Sequence, residues 1–362
     1  MINYVPFLKT KVNEFSAIKK LNKNIAKNIT PFFDIHTKSK DSDNEYGILK
    51  EINPTAQYTE SEYKNFITER FRKFELNTEN IRLFYLDDFD IDDELFVDGK
   101  QGYNFVINQF SSMLFIPVVG INRSDDRNNA VFNNKHIIQS NTVAIRLEYE
   151  DIENGISEIN LLIKKSEIYF SEIELIIDLR VLMQDTNISS YYSTIEKFLS
   201  KINYRFSKII ITGSSIPNSI TELINKEQKK DIRRKELDLY DLINKSHKGF
   251  FYGDYTIISP YYMELNIPIQ YFSKNMIAKV IYSHEKCHYI CRGKSLQKEG
   301  YAQYNEFCKH ISNMSFFRGS TYSWGDQFIF ESRNKSSGIT QSSILAPTIN
   351  AHITYMYEGF EL

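Results

Sequence analysis

The chain has 362 residues, of which 42% are hydrophobic and 25% charged, and 44 Lys and Arg against 46 Asp and Glu leave a net charge of -2. These figures exclude a disordered, collagenous or membrane-spanning chain. They also lack the basic excess that a general non-specific nucleic-acid binder needs. The length predicts two domains, or one large α/β barrel with an addition.

Short β-branched and aromatic runs alternate with longer amphipathic stretches. Strands are predicted at Tyr4–Lys9, Ile29–His36, Ile81–Asp87, Phe115–Ile121, Thr142–Tyr149, Ile173–Leu179, Lys208–Thr212 and Gly249–Ile257. Helices are predicted at Glu14–Leu21, Glu60–Phe74, Tyr103–Met113, Ile159–Phe170, Tyr191–Ile202 and Glu227–Asn244. Their apolar residues recur at three and four positions, as in Tyr63, Phe66, Ile67, Phe71 and Phe74. Eight such alternations without a Gly-rich dinucleotide turn favour a closed (β/α)8 TIM-barrel-like fold over an open doubly wound sheet. The polar stretch Thr37–Thr59 reads as a surface insertion or lid.

The alternation stops near Pro260, dividing the chain into a barrel over residues 1–260 and a C-terminal α+β extension over 261–362, packed on the barrel. The extension has a strand-like run Ala278–Tyr282, a helix-like run Gln297–Ile311, and β-like pieces at Gln327–Glu331 and His352–Tyr357. Three cysteines, Cys287, Cys291 and Cys308, form no disulfide framework, and Met1–Lys9 has no long apolar run. Both features predict a cytoplasmic protein. The longest apolar run, Met113–Ile121, is too short for a bilayer.

Several short motifs at both ends carry a resemblance. Tyr4–Glu14, Ile29–Ile35, Ile177-Asp178-Leu179-Arg180, Tyr252-Gly253-Asp254-Tyr255 and Trp324-Gly325-Asp326 resemble the "beta family" proteins of phages, prophages and bacterial mobile elements. That family's pattern has an aromatic–Arg pair and a double histidine near the C-terminus. Here the corresponding stretch reads Leu345-Ala346-Pro347 and Ala351-His352, with only the second histidine kept. The resemblance implies a part in phage–host conflict and places Ile290-Cys291-Arg292-Gly293 on a strand.

In a barrel of this kind ligand groups gather at the C-terminal ends of the strands. Those ends carry Lys9 and Lys11, Asp34 and His36, Asp87 and Asp88, Asn122, Arg146 and Glu148, Asp178 and Arg180, Ser214 and Ser215, and Asp254 and Tyr255. Residues two apart share a strand face, so Asp34/His36, Arg146/Glu148 and Asp178/Arg180 each predict a polar pair at the mouth. Such pairs rigidify the mouth as ion pairs or hold a carboxylate beside a cation for acid–base work. Asp178, Arg180 and Asp254 are the catalytic candidates. Lys9, Lys11, Asp34, His36, Arg146, Glu148, Ser214 and Tyr255 are the ligand-binding candidates. The turn Thr212-Gly213-Ser214-Ser215 sits where many such barrels take phosphate.

The strand-end carboxylates suit Mg²⁺ or Mn²⁺ as a cofactor, whereas a His-rich zinc or iron centre lacks ligands. The run His284–Cys291 matches no paired Cys/His knuckle. Lys226, Lys229, Lys230, Arg233, Arg234 and Lys235 are interleaved with acids and read as the solvated face of a helix. Three functions remain open. The first is an antiphage defence component that senses a phage protein or a nucleotide-like ligand at the mouth. The second is a metal-dependent phosphodiester or nucleotide hydrolase using Asp178 and Asp254, with Lys9, Lys11 and Arg180 neutralising phosphate. The third is a non-catalytic binding scaffold. Enzymatic activity and a homo-oligomeric state stay undecided.

Overall fold

The computed structural model describes residues 3–36, 58–261, 276–334 and 339–360. In chain order the strands are β1 (Tyr4–Lys9), β2 (Phe32–Asp34), β3 (Phe84–Asp87), the two-residue β4 (Phe96–Val97) and β5 (Lys100–Gln101), β6 (Phe115–Val119), β7 (Thr142–Glu148), β8 (Glu172–Val181), β9 (Lys208–Ser214), β10 (Lys229–Arg233), β11 (Phe251–Asp254), β12 (Ile277–His284) and β13 (Cys287–Ser295). Eight of them, β1, β2, β3, β6, β7, β8, β9 and β11, pair side by side in that order. β11 then pairs with β1, so the sheet closes into a parallel barrel. The α/β TIM-barrel-like class predicted from the alternation is the observed one, with strand ends shifted by a few residues.

Helices α1 (Val12–Lys19), α2 (Lys23–Asn28), α3 (Glu60–Asn77), α4 (Tyr103–Phe110), α5 (Asp125–Asn133), α6 (Tyr149–Asn154), α7 (Ile156–Tyr169), α8 (Ile188–Lys201) and α9 (Lys235–Ser246) connect the strands. Local chemistry starts several of them. Thr59 and Glu62 form a capping box on α3, while Ser124 and Asn187 cap α5 and α8 with their side chains. No helix among the described residues is long and apolar enough to cross a membrane. The lid predicted at Thr37–Thr59 falls largely on residues 37–57, outside the described residues.

Two sequence predictions are overturned. The helix predicted over Glu227–Asn244 is β10 followed by α9. Lys229–Arg233 pairs antiparallel with Cys287–Cys291, and this long-range ladder overrides the helical charge spacing. β10, β13 and β12 form a separate three-stranded sheet, so an insertion after barrel strand β9 builds one edge of the C-terminal unit. The pieces read as strands at Gln327–Glu331 and His352–Tyr357 lie in helices α12 (Trp324–Glu331) and α13 (Gln341–Glu358), which follow α10 (Leu296–Glu299) and α11 (Ala302–Ser312). Helix α13 is buried on several sides, between α1, α12, β1 and β12. Its buried side chains include Thr348, Asn350, His352 and Thr354 beside the apolar ones, so no single apolar stripe marks its helical periodicity.

Candidate functional site

Alternation along the barrel strands fills the lumen in layers. Val5, Phe7, Phe32, Tyr85, Ile116, Val118, Ala144, Ile176 and Ile210 form one apolar cluster with Tyr255. Two residues further along the same face stand Lys9 after Phe7, Asp34 after Phe32, Asp87 after Tyr85, Arg146 after Ala144 and Asp178 after Ile176. An apolar plug is thus topped, at the C-terminal mouth, by a charged layer. Strand register aligns it, with Lys9 opposite Asp34, Asp34 opposite Asp87, and Glu148 opposite Asp178.

Arg146, fully buried, is the centre of this layer. Its Nη1 donates to Asp34 Oδ1 (2.7 Å) and Asp87 Oδ2 (2.8 Å). Its Nη2 donates to Asp178 Oδ2 (2.6 Å) and to the Tyr255 hydroxyl (2.8 Å), and Nε reaches the same Asp178 oxygen at 3.0 Å. All five N–H groups of the guanidinium are therefore engaged. The Tyr255 hydroxyl donates in turn to Asp178 (2.5 Å). Arg127 donates to the other oxygen of Asp87, Oδ1, at 2.9 Å, Arg123 shares Oδ2 with Arg146 at 2.8 Å, and Arg127 Nε also donates to Asp88 at 2.5 Å.

Burial of so many charges shifts the carboxyls in different directions. Burial pushes each of them up. In Asp87 the guanidinium groups of Arg123, Arg146 and Arg127 outweigh that push and hold the carboxyl below its usual range. Asp178 is also low, through Arg146, Arg180 and the Tyr255 hydroxyl. Asp34 stays above the ordinary value, because burial wins over Arg146 and Lys9. Asp88 is pushed up to about 6 by burial, which exceeds the pull of Arg127.

The layer opens to solvent along one rim. Lys9 pairs with Asp90, and Arg180 lies 2.9 Å from Glu148. The side chains of Asp90 and Glu148 are 22% and 25% exposed, against 8% for Arg180 and 5% for Lys9. The Phe89 ring lies between three guanidinium groups, with Arg123, Arg146 and Arg180 at 4.3, 4.7 and 4.3 Å from its centroid. Arg180 has φ +52°, a left-handed conformation rare for this residue, stabilised by its amide donating to Asp178 Oδ1 at 3.0 Å. Thr256 repeats the device after β11, with φ +57° and its amide 2.9 Å from Asp254 Oδ1. Strain of this kind collects at functional sites.

A second buried cluster surrounds Asp254. Its carboxylate accepts from the Tyr4 hydroxyl (2.9 Å) and from Arg234 Nη2 (2.6 Å), and it lies 3.0 Å from His352 Nε2. Burial raises the Asp254 carboxyl, but His352, Arg234 and Tyr4 together bring it well below the usual range. Beyond His352 the chain of contacts continues through Ser283 Oγ (2.7 Å from Nδ1) to His288 Nδ1 (2.9 Å from Oγ).

The predicted site residues therefore divide between locations. Lys9, Asp34, Arg146, Glu148, Asp178, Arg180 and Tyr255 come together in the mouth network. Asp254 lies in the second cluster. His36 does not join Asp34, because β2 ends at Asp34 and the alternation stops there; its ring meets Thr10 and Phe66 instead. Lys11 is buried at the start of α1. Ser214 and Ser215 are turned inward, onto the Ile258 carbonyl and Glu236, so neither hydroxyl faces the mouth. Sequence reasoning missed Phe89, Asp90, Arg123 and Arg127, which follow the strand ends in loops or on α5. It also missed Arg234, whose lysine- and arginine-rich setting disguises a fully buried side chain.

The residues do not fit Mg²⁺ or Mn²⁺ at the mouth. Asp34, Asp87 and Asp178 do converge, but the Arg146 guanidinium occupies their meeting point. No group of three or more His, Cys, Asp or Glu among the described residues could hold a metal ion. In the His284–Cys291 run, His284, Cys287 and Cys291 fall on one face of the β12–β13 hairpin and His288 on the other.

A closed parallel barrel carrying a buried arginine–carboxylate layer at its C-terminal mouth defines a TIM-barrel-like protein. A family model described as Beta protein matches residues 4–358, and the chain belongs to that family. Among curated proteins none matches the chain.

Proposed function

We propose that this protein is an antiphage defence component whose barrel mouth senses an anionic, nucleotide-like ligand produced during infection. Membership of the Beta protein family supports the setting. The observation that carries the ligand class is the rim, where Phe89 is flanked by Arg123, Arg146 and Arg180, and where Lys9 and Arg180 pair with the partly exposed Asp90 and Glu148, Arg180 also reaching buried Asp178. A phosphate oxygen replaces a carboxylate oxygen on these cations without uncovering Arg146, so one anion exchanges for another at low desolvation cost. The exposed part of the Phe89 ring offers an apolar surface for a base.

The hydrolase reading finds less support, since Asp34, Asp87 and Asp178 all engage Arg146 and Asp254 lies in a separate cluster. The test is plaque formation on cells expressing the wild-type protein or Arg180→Gln, with protein levels matched. Wild type lowers phage titres and the variant does not. Unchanged titres on the wild type across a broad phage panel would sink the defence role. Native mass spectrometry of protein from infected cells, with no phosphorylated ligand retained by wild type, would sink the ligand.

A further inference from the structure

Beside the arginine–carboxylate layer, at the same end of the barrel, a cleft opens between the loops after β9 and β11 and the elements β12 and α13. The loops after β9 and β11 form one side through Ile216, Ile257 and Ile258, while β12 and α13 form the other through Ile281, Ile344 and Leu345. Lys279 of β12 lines the same cleft.

The environment of Lys279 is unusual. It is half-buried and has no hydrogen bond or ion pair to any acid among the described residues. Directly across the β12–β13 ladder stands a second cation, Arg292, which is 5% exposed. Arg292 uses Nη1 on the Ile224 carbonyl (2.5 Å), while its buried Nε has no partner. Like charges directly opposite each other in a sheet are destabilising, and a half-buried ammonium against isoleucine walls adds a desolvation penalty. Burial, reinforced by Arg292, accordingly lowers the Lys279 amine from its ordinary value.

Among the described residues no carboxylate pairs with Lys279, so a cation pair stands beside apolar walls. We infer that this cleft binds a small organic carboxylate with an aliphatic body, its head group on Lys279 and its chain against Ile257, Ile258 and Leu345. A singly charged head group matches the one ammonium that Lys279 offers, and the Asn218 and Gln341 amides line the same cleft. At its edge the Thr348 hydroxyl donates to the Ile344 carbonyl, and the Ser259 hydroxyl accepts from the Tyr261 amide. Such a ligand touches barrel loops, β12 and α13 at once, and so ties the C-terminal unit to the barrel. This inference is independent of ligand sensing at the mouth.

Thermal unfolding with millimolar hexanoate, and with hexanol as the uncharged control, tests the assignment on the full chain. Hexanoate should raise the melting temperature of the wild type, hexanol should not, and Lys279→Arg should keep the response. Lys279→Met should melt higher than the wild type without ligand, since it removes the desolvated charge. It should bind hexanoate about tenfold more weakly or worse. No rise with hexanoate in the wild type, an equal rise with hexanol, or an equal response in Lys279→Met would each overturn the site.

Discussion

His352 Nε2, on the last helix, stands 3.0 Å from the carboxylate of Asp254, at the end of the last barrel strand. One arrangement of protons satisfies the whole chain of contacts. His352 donates from Nε2 to Asp254 and accepts at Nδ1 from the Ser283 hydroxyl, which accepts in turn from His288 Nδ1. Both imidazoles are neutral in this arrangement, the form that burial favours. The chain joins α13, β12 and β13 to the barrel through buried groups only. His352 is thus a fastening between α13 and the barrel strand that carries Asp254.

That arrangement predicts a pH dependence. Burial lowers His288 well below its ordinary 6.5, helped by Arg234 and His352; burial also lowers His352, against the pull of Asp254. Below about 6.5 the unfolded chain therefore binds protons that the native state refuses. The contribution to stability is complete above that pH and is lost as pH falls, by about 1.4 kcal/mol per unit for each histidine. Urea unfolding across this range measures the slope. His288→Asn should make it shallower by about that amount per unit. An unchanged slope would mean that His288 is not neutral in the native protein.

Asp88 acts with the opposite sign. Its carboxyl, pushed from 3.8 to about 6 by burial against Arg127, favours the protonated form in the native state. The stability this gives is fully present below 3.8 and is lost as pH rises through about 6. Asp88→Asn lacks the effect, so its stability relative to wild type should improve by about 3 kcal/mol between acid and neutral pH. Paired denaturation curves at the two ends of the range decide it.

Arg146→Met should be among the most damaging single changes. It leaves Asp34, Asp87 and Asp178 buried around an apolar side chain, and breaking a buried ion pair from one side costs about 3–5 kcal/mol. Arg146→Lys should recover only part of this, since an ammonium has three donors where the guanidinium uses five. A loss below about 1 kcal/mol in chemical denaturation would show the network to be dispensable.

At the rim the expected change is a gain. Glu148 is raised by burial against the pull of Arg180 and stands as the local competitor of an incoming anion. Glu148→Gln removes that competition while keeping the size of the side chain. Nucleotide affinity, read by titration calorimetry, should rise about two- to fivefold, the worth of one solvent-accessible charge pair. Weaker binding in the variant would mean that Glu148 contacts the ligand instead of excluding it.

The barrel was legible because its strands are short, apolar and regularly spaced, so Tyr4–Lys9 and Thr142–Glu148 carry their own boundaries in period two. The centre of the mouth was legible for the same reason: Asp34, Arg146 and Asp178 lie two residues beyond lumen side chains. Their true partners were hidden. Arg146 and Glu148 were read as one pair, yet each is bound to residues of other strands, a relation that barrel closure creates. Residues such as Phe89 and Arg127 sit in loops and helices where no alternation marks a direction. β10 was misread because a charged segment paired at long range looks locally like a solvated helix.

Gly325 gives the Trp324-Gly325-Asp326 motif a physical reason. A Cβ added there would stand 1.9 Å from the Pro347 carbonyl oxygen and 2.8 Å from the Ala351 nitrogen, both backbone atoms of α13. The close approach also lets the Gly325 amide donate to Asn350 Oδ1 (3.1 Å), whose own amide reaches the Ala17 carbonyl at 3.0 Å in α1. Backbone cannot yield as a side chain does, so Gly325→Ala must push α12 away from α13 and disturb the helix that carries His352. The expected loss is about 1–3 kcal/mol, the usual range for overpacking. Faster amide exchange should be concentrated in α12 and α13, with β1 to β8 unaffected. A wild-type exchange pattern in Gly325→Ala would mean that the two helices are not in close contact.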